Sequence, residues 1–181
     1  AREKVVVAGQ PVWPDFVQRM GHRAETRSAL GIDPQRMTVL MMGGGDGMGR
    51  MKAFAREIAF SDLPISLVVV CGRNAKLKES LDELKARIPS ITTLGFVKNV
   101  PELMGASDIL LTKAGPGTIC EGFIAGLPIL LYDAIPGQEE GNVDYVVEHG
   151  AGKFCFTSGA AVREIRKWLA HPSYYAAVKR S

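Results

Sequence analysis

Short runs that are apolar at nearly every position recur along this chain, and each ends in glycine or polar residues before a longer amphipathic stretch begins. Val39–Met42, Leu67–Cys71, Ile91–Leu94, Asp108–Leu111 and Ile129–Tyr132 are such runs. A strand with one solvated face alternates apolar and polar residues; a strand apolar throughout must be covered on both faces. Strands alternating with helical segments make strand–helix–strand units, whose crossovers are right-handed and place helices on both sides of a parallel sheet. The predicted fold is therefore α/β, a Rossmann-like parallel sheet with helices on both faces. In such sheets ligands bind at the carboxyl ends of the strands, and here every glycine-rich or polar cluster falls at one of those ends.

The remaining elements follow from spacing and punctuation. Val5–Val7 reads as a strand, and 10–14 (Gln-Pro-Val-Trp-Pro) as a stiff extended connector. Asp15–Leu30 reads as one helix stopped by Gly31. Further helices are expected at 48–60, Lys76–Arg87, Val100–Gly105, Thr118–Ala125, Glu139–Glu148 and Ala160–Ala170, with a short strand at Lys153–Phe156. Residues 1–35 are taken as a connector strand and helix, and 36–181 as the sheet domain. The chain starts Ala-Arg-Glu-Lys and stops within a helical pattern at Tyr174–Arg180, so it reads as a fragment of a larger protein.

Composition narrows the function classes. The chain is 46% hydrophobic and 23% charged with a net charge of +3, and no basic run with interleaved aromatics suggests nucleic acid. No apolar stretch approaches the ~20 residues that span a bilayer, so membrane contact is expected to be peripheral. Cys71, Cys120 and Cys155 lie in apolar surroundings away from metal-ligand spacing and read as buried free thiols in a reducing compartment.

Two glycine turns carry the strongest chemical signal. Gly43-Gly44-Gly45-Asp46-Gly47-Met48-Gly49 follows one strand, and Lys113-Ala114-Gly115-Pro116-Gly117-Thr118 follows another. A helix opening on such a turn aims free N–H groups and a partial positive charge at whatever lies in front of it, and two such ends facing one crevice suit a diphosphate. The first turn lacks the Gly-Lys-Ser/Thr ending of a phosphate-binding P-loop, and the next strand ends in Cys71-Gly72-Arg73-Asn74 rather than in the acidic residue an NAD site wants. Arg73 there fits an NADP site and a base-binding loop equally well. Thr118 can cap its helix or donate to a phosphate oxygen, and Glu121, further along that helix, can accept both hydroxyls of a ribose. A third cluster, Gln138-Glu139-Glu140-Gly141-Asn142, offers the closely spaced donors and acceptors that a hexose needs.

These clusters, in this order, resemble the donor-binding half of a GT-B glycosyltransferase. More narrowly, they resemble the family that holds monogalactosyldiacylglycerol synthases, diacylglycerol glucosyltransferases and the lipid II-forming N-acetylglucosaminyltransferase. Gly43–Gly49, Cys71–Asn74, Gly95-Phe96-Val97, Lys113–Thr118 with Glu121, Gly126-Leu127-Pro128, Gly137-Gln138-Glu139 and Gly141-Asn142 read as that family's motifs, and the match to the galactolipid synthases is close. The resemblance implies that Gly44 to Gly47 (Gly44, Gly45, Asp46, Gly47) and Gly115, Gly117 and Thr118, with Lys113 beside them, hold the diphosphate of a UDP-sugar. Asp46, a carboxylate beside a diphosphate, is expected to cap its helix or face away. Phe96 and Val97 would line a uracil pocket with Arg73 and Asn74 in the adjoining loop. Glu121 would hold the ribose, while Gln138, Glu139 and Asn142 would face the transferred sugar.

The resemblance further implies no cofactor and no metal in the site, consistent with the lack of an Asp-x-Asp motif after a strand. The catalytic base and the acceptor pocket are expected in an N-terminal domain absent from this chain, so no catalytic residue is assigned here. His22 and His149 read as structural or surface residues. The implied activity is inverting transfer of galactose from UDP-galactose to diacylglycerol, at the cytoplasmic face of a bacterial membrane or at a plastid envelope. A UDP-glucose-dependent diacylglycerol glucosyltransferase and a stand-alone donor-binding subunit are the alternatives.

Overall fold

The computed structural model describes residues 9–43 and 50–180. The predicted strand Val5–Val7 and the centre of the first glycine turn, Gly44 to Gly49, lie outside them. Within them run α1 (Asp15–Arg19), α2 (Arg23–Ala29), β1 (Met37–Met42), α3 (Met51–Ala59), β2 (Ile65–Val70), α4 (Ala75–Lys85), β3 (Ile91–Leu94), α5 (Val100–Gly105), β4 (Ile109–Lys113), α6 (Pro116–Ile124), β5 (Ile129–Asp133), α7 (Glu140–Glu148), β6 (Gly152–Phe154), α8 (Ser158–Ala170) and α9 (Pro172–Arg180).

The strands form one parallel sheet in the order β3-β2-β1-β4-β5-β6. Successive strand residues point to opposite faces, and the two sides bury different sets. Val39, Met41, Leu67, Val69, Leu111 and Tyr132 pack beneath α3, α4 and α8 with Phe54, Ile58, Leu81, Ile165 and Trp168. Leu40, Met42, Val68, Leu110, Ile129 and Leu131 pack on the other side with Phe16, Leu103, Met104, Ile119 and Val146 from α1, α5, α6 and α7. The doubly covered parallel sheet expected from the apolar runs is thus what forms.

The chain order reverses at β1: it proceeds outward through β2 and β3, then returns to lay β4 on β1's other side. Met42 pairs with Thr112 across that seam, so β1 and β4 end side by side. This is the crevice at the carboxyl ends where ligands of such sheets bind.

Several predicted bounds move by one or two residues, and two differences bear on the site. The helix expected over Asp15–Leu30 is two helices broken at Met20-Gly21-His22. Its arginines at four-residue spacing still dock together: Arg19 bonds Glu102 of α5, and Arg23 and Arg27 both bond Asp108, just before β4. The helix expected from Thr118 begins at Pro116 instead, with Gly115 as its N-cap. Proline suits a first helical position because its missing N–H has no partner to lose there.

Candidate functional site

The second glycine turn is built by a bulge. Thr112 pairs with Leu131, but Lys113 pairs with Asp133, leaving Tyr132 as the extra residue of β5. Bulges re-aim side chains at the rims of sheets, and here one sits where the two strands enter the crevice. Arg50, at the start of α3, donates to the Tyr132 carbonyl at 2.7 Å and to the Phe156 carbonyl, and its guanidinium lies over the Phe54 and Phe156 rings. It ties the helix that follows the first glycine turn to the strand ends that flank the second. Arg50 is absent from the residues the sequence singles out; its place directly after the glycines is the one signal that marks it.

Gly115 caps α6 through its backbone, so Thr118 occupies the third helical position and does not cap it. The first N–H groups of a helix have no intrahelical partner, which leaves those of Gly117 and Thr118 directed out of the α6 end. Glu121 lies further along α6, half-buried. Its carboxylate makes no hydrogen bond or ion pair among the described residues, and burial pushes its pKa up.

The third cluster folds back onto the second. Pro136 and Gly137 make a tight turn in which the Ile135 carbonyl accepts from the Gln138 and Glu139 N–H groups. Gly137 takes a φ of 74°, the left-handed region that a Pro-Gly turn of this kind requires. The turn leaves Gln138 exposed and buries Glu139. The Glu139 carboxylate is held on both oxygens: one accepts from Lys113 Nζ at 2.8 Å and the other from the Ile135 N–H at 3.0 Å. Asn142, half-buried, donates through Nδ2 to the Ala114 carbonyl at 2.8 Å.

The remaining site residues gather on the other side of the crevice. Cys71 N–H donates to the Leu94 carbonyl, which brings the loop after β2 against the loop after β3. The Arg73 guanidinium lies 5.2 Å from the centre of the Phe96 ring, and both side chains are exposed. A cation and an aromatic face held together in the open offer a surface on which a flat base can stack. Val97 packs against the apolar core. Asn74 uses its side chain locally, accepting from Leu77 N–H to cap α4.

Candidates outside the crevice are accounted for by packing. His149 stacks on Tyr145 at 4.1 Å and sets Nδ1 against the Tyr145 carbonyl; His22 is exposed at the start of α2. A hollow of about 370 Å³ lined by Phe123, Leu127, Tyr145 and His149 opens at the amino ends of β5 and β6, the opposite end of the sheet. All three cysteines are free; Cys71 and Cys155 are buried while Cys120 is only half-buried. Among the described residues no group of three or more His, Cys, Asp or Glu is placed to hold a metal ion, and no helix is long and apolar enough to cross a membrane.

Residues 38–171 match the family model described as the glycosyltransferase family 28 C-terminal domain. The chain is 44% identical over 173 residues to the monogalactosyldiacylglycerol synthase, chloroplastic, of Spinacia oleracea, covering 92% of this chain and 33% of that protein. It is 42% identical over 180 residues to the probable monogalactosyldiacylglycerol synthase, chloroplastic, of Glycine max, covering 96% and 34%. The chain therefore spans about a third of the length of the curated relatives it matches.

Among solved structures it is similar to WaaG, a glycosyltransferase involved in lipopolysaccharide biosynthesis (TM-score 0.73, 22% identity, 99% of this chain and 51% of that one). HepE of Anabaena in complex with UDP-glucose gives a TM-score of 0.66 at 18% identity, over 97% and 50%. The UDP-GlcNAc 2-epimerase of Neisseria meningitidis bound to UDP-GlcNAc gives 0.69 at 16%, over 91% and 45%. One fold thus serves transferases and an epimerase, and the site rather than the fold decides between them. With three-quarters of its length under the family model, the chain belongs to the glycosyltransferase family 28 C-terminal domain family.

Proposed function

We propose that this chain is the UDP-sugar-binding domain of an enzyme that transfers galactose from UDP-galactose to diacylglycerol with inversion, making monogalactosyldiacylglycerol. The observation that supports the reading is the Met42–Thr112 pairing, which ends β1 and β4 side by side at the point where α6 opens with Glu121 further along it. The relatives named for galactolipid synthesis supply the choice of sugar and acceptor. Residues 1–35 then serve as a connector and 36–181 as the donor domain, with acceptor pocket and base on a further domain.

In this reading the diphosphate sits at the Gly115–Thr118 end of α6 with Gly44–Gly47 opposite, uracil lies by Arg73, Phe96 and Val97, and Glu121 takes the ribose hydroxyls. The acceptor hydroxyl attacks the anomeric carbon, its proton passes to a base on the other domain, and UDP departs with its charge held by backbone N–H groups. Diacylglycerol resides in membranes, so the enzyme works peripherally at a bilayer surface; relatives named chloroplastic favour a plastid envelope.

Calorimetric titration with UDP, ADP, UDP-galactose and UDP-glucose tests this. UDP is expected to bind and ADP to bind markedly less; equal affinity would remove the uracil pocket. Stronger binding of UDP-glucose than of UDP-galactose would favour a glucosyltransferase. Glu121→Gln is expected to weaken UDP about tenfold to a hundredfold, the worth of a charge-assisted hydrogen-bond pair.

The same substitution has an opposite effect on stability. A carboxyl whose pKa is raised by burial destabilises the folded protein once ionised, a penalty that enters as pH rises above the ordinary glutamate range. Glu121→Gln should melt above wild type at neutral pH, with the difference vanishing in acid. Lost binding with an unchanged melting temperature would show that burial does not strain this carboxylate.

A further inference from the structure

Arg50 is far from its partners in sequence and lies among them in the fold. One terminal nitrogen donates to the Tyr132 carbonyl at 2.7 Å and the other to the Phe156 carbonyl, 82 and 106 residues away. The guanidinium lies over the Phe54 and Phe156 rings, and Asp133 comes within 3.9 Å of it. Tyr132 is the extra residue of the β5 bulge, and a bulged residue is left out of the strand ladder. Its neighbours are served by strands: the Leu131 carbonyl accepts from Cys155 N–H on the β6 side, and the Asp133 carbonyl accepts from Ala114 N–H on the β4 side. The Tyr132 carbonyl between them takes Arg50 instead, so the guanidinium fills the gap that the bulge opens. That bulge sets Asp133, rather than Tyr132, opposite Lys113. The Asp133–Ala114 bond then fixes the chain one residue before Gly115, the N-cap of α6. Arg50 is itself the N-cap of α3. One side chain therefore ties the opening of α3 to the opening of α6.

Resting on the UDP-sugar reading above, we infer that Arg50 is a positioning residue for the donor diphosphate: it does not touch the nucleotide but fixes the separation of the two helix openings that hold it. The residues assigned to the diphosphate on one side, Gly44–Gly47, lead into α3 through Arg50 in the sequence. Those on the other side, Gly115, Gly117 and Thr118, open α6. N–H groups stabilise a diphosphate best when they already stand where its charge will be, because rearrangement on binding is subtracted from affinity and rate. A glycine-rich segment has the most conformational freedom to lose, so a rigid anchor at its end matters more than after an ordinary turn. A planar guanidinium suits that task, since its two terminal nitrogens hold two carbonyls in a fixed geometry. Uracil, assigned to Arg73, Phe96 and Val97 in the loops after β2 and β3, lies outside this linkage.

Full-length enzyme carrying Arg50→Met or Arg50→Lys is titrated with UDP by calorimetry and with uridine by ligand-observed NMR, and assayed for kcat and KM with UDP-galactose. Arg50→Met is expected to weaken UDP about tenfold while uridine binds as before. Its kcat is expected to fall by up to about a hundredfold, the cost of an ångström-scale misplacement. Arg50→Lys keeps the charge and the apolar stem, and its single nitrogen is expected to keep one of the two carbonyl bonds. It should fold like wild type and lose about threefold in UDP affinity with uridine unchanged, so it carries the test should Arg50→Met unfold. Unchanged UDP affinity and kcat in the folded variants would overturn the inference. Equal loss of uridine and UDP, or a lower melting temperature with the ratio of UDP to uridine affinity intact, would overturn it as well, because either marks general damage. Wild-type enzyme that binds neither ligand would overturn the nucleotide reading itself, whereas wild type that binds both confines any failure to this inference.

Discussion

Replacing Asp108 by alanine is expected to destabilise the protein by about 3–5 kcal/mol, the usual cost of removing one partner from a buried ion pair. Arg27 is 6% exposed, and its guanidinium spans Asp108 at 2.7 Å and the carbonyls of Ala106, Pro34 and Arg36. Asp108 also accepts from the Thr38 N–H at 2.8 Å and from Arg23 at 2.6 Å. One carboxylate therefore joins α2, the start of β1 and the start of β4. Without it a buried cation faces only carbonyls and a buried N–H loses its acceptor. Arg23 provides the control: its side chain is 44% exposed, and Arg23→Ala should cost under about 1 kcal/mol. Denaturant unfolding of the two variants beside wild type measures both. Equal, small losses would mean that the carbonyls alone satisfy Arg27.

Gly152→Ala should be comparably severe, for a steric reason. Gly152 pairs with Ile129 across β5 and β6, and a Cβ there would lie 1.9 Å from the Ile129 carbonyl oxygen and 3.0 Å from Val146 Cγ1. A backbone oxygen moves only with its strand, so the edge strand β6 must part from β5. A cost of about 2–4 kcal/mol is expected, within the range of strained or overpacked core substitutions. Cys155 reports it directly. The thiol is buried, burial pushes its pKa up to about 11, and its N–H is held by the Leu131 carbonyl. Loosening β6 should speed its alkylation many-fold. Gly141→Ala makes the contrast: its Cβ would meet nothing within 4 Å, and on helix α7 it should be neutral or stabilising by roughly 0.5–1 kcal/mol. Unaltered Cys155 labelling in Gly152→Ala would show that β5 and β6 accommodate the methyl group in place.

The difference between these sites lies in what fills the space around them, and the same distinction divides what could be read from the residues. The apolar runs state their own burial: Val39, Leu40, Met41 and Met42 admit no solvated face, so a doubly covered parallel sheet follows with no knowledge of partners. Glycine states local geometry: Gly31 announces the stop of the helical stretch before it, whereas α6 starts at Pro116, two residues ahead of the expected Thr118. The helical spacing of 15–30 says nothing of Arg19, Arg23 and Arg27 meeting Glu102 and Asp108 some eighty residues further on.

Pairings between distant residues belong to the tertiary structure alone. That β1 and β4 end side by side was decided by strand order, which sets β4 rather than β2 or β3 on that side of β1. That Glu139 pairs with Lys113 was decided by a bulge of one residue at Tyr132 and a turn that carries the chain back over the α6 end. Periodicity and composition constrain each segment's own conformation because those preferences are local. Which side chain a buried carboxylate meets depends on the register of strands pairing across the sheet, and no local preference encodes it.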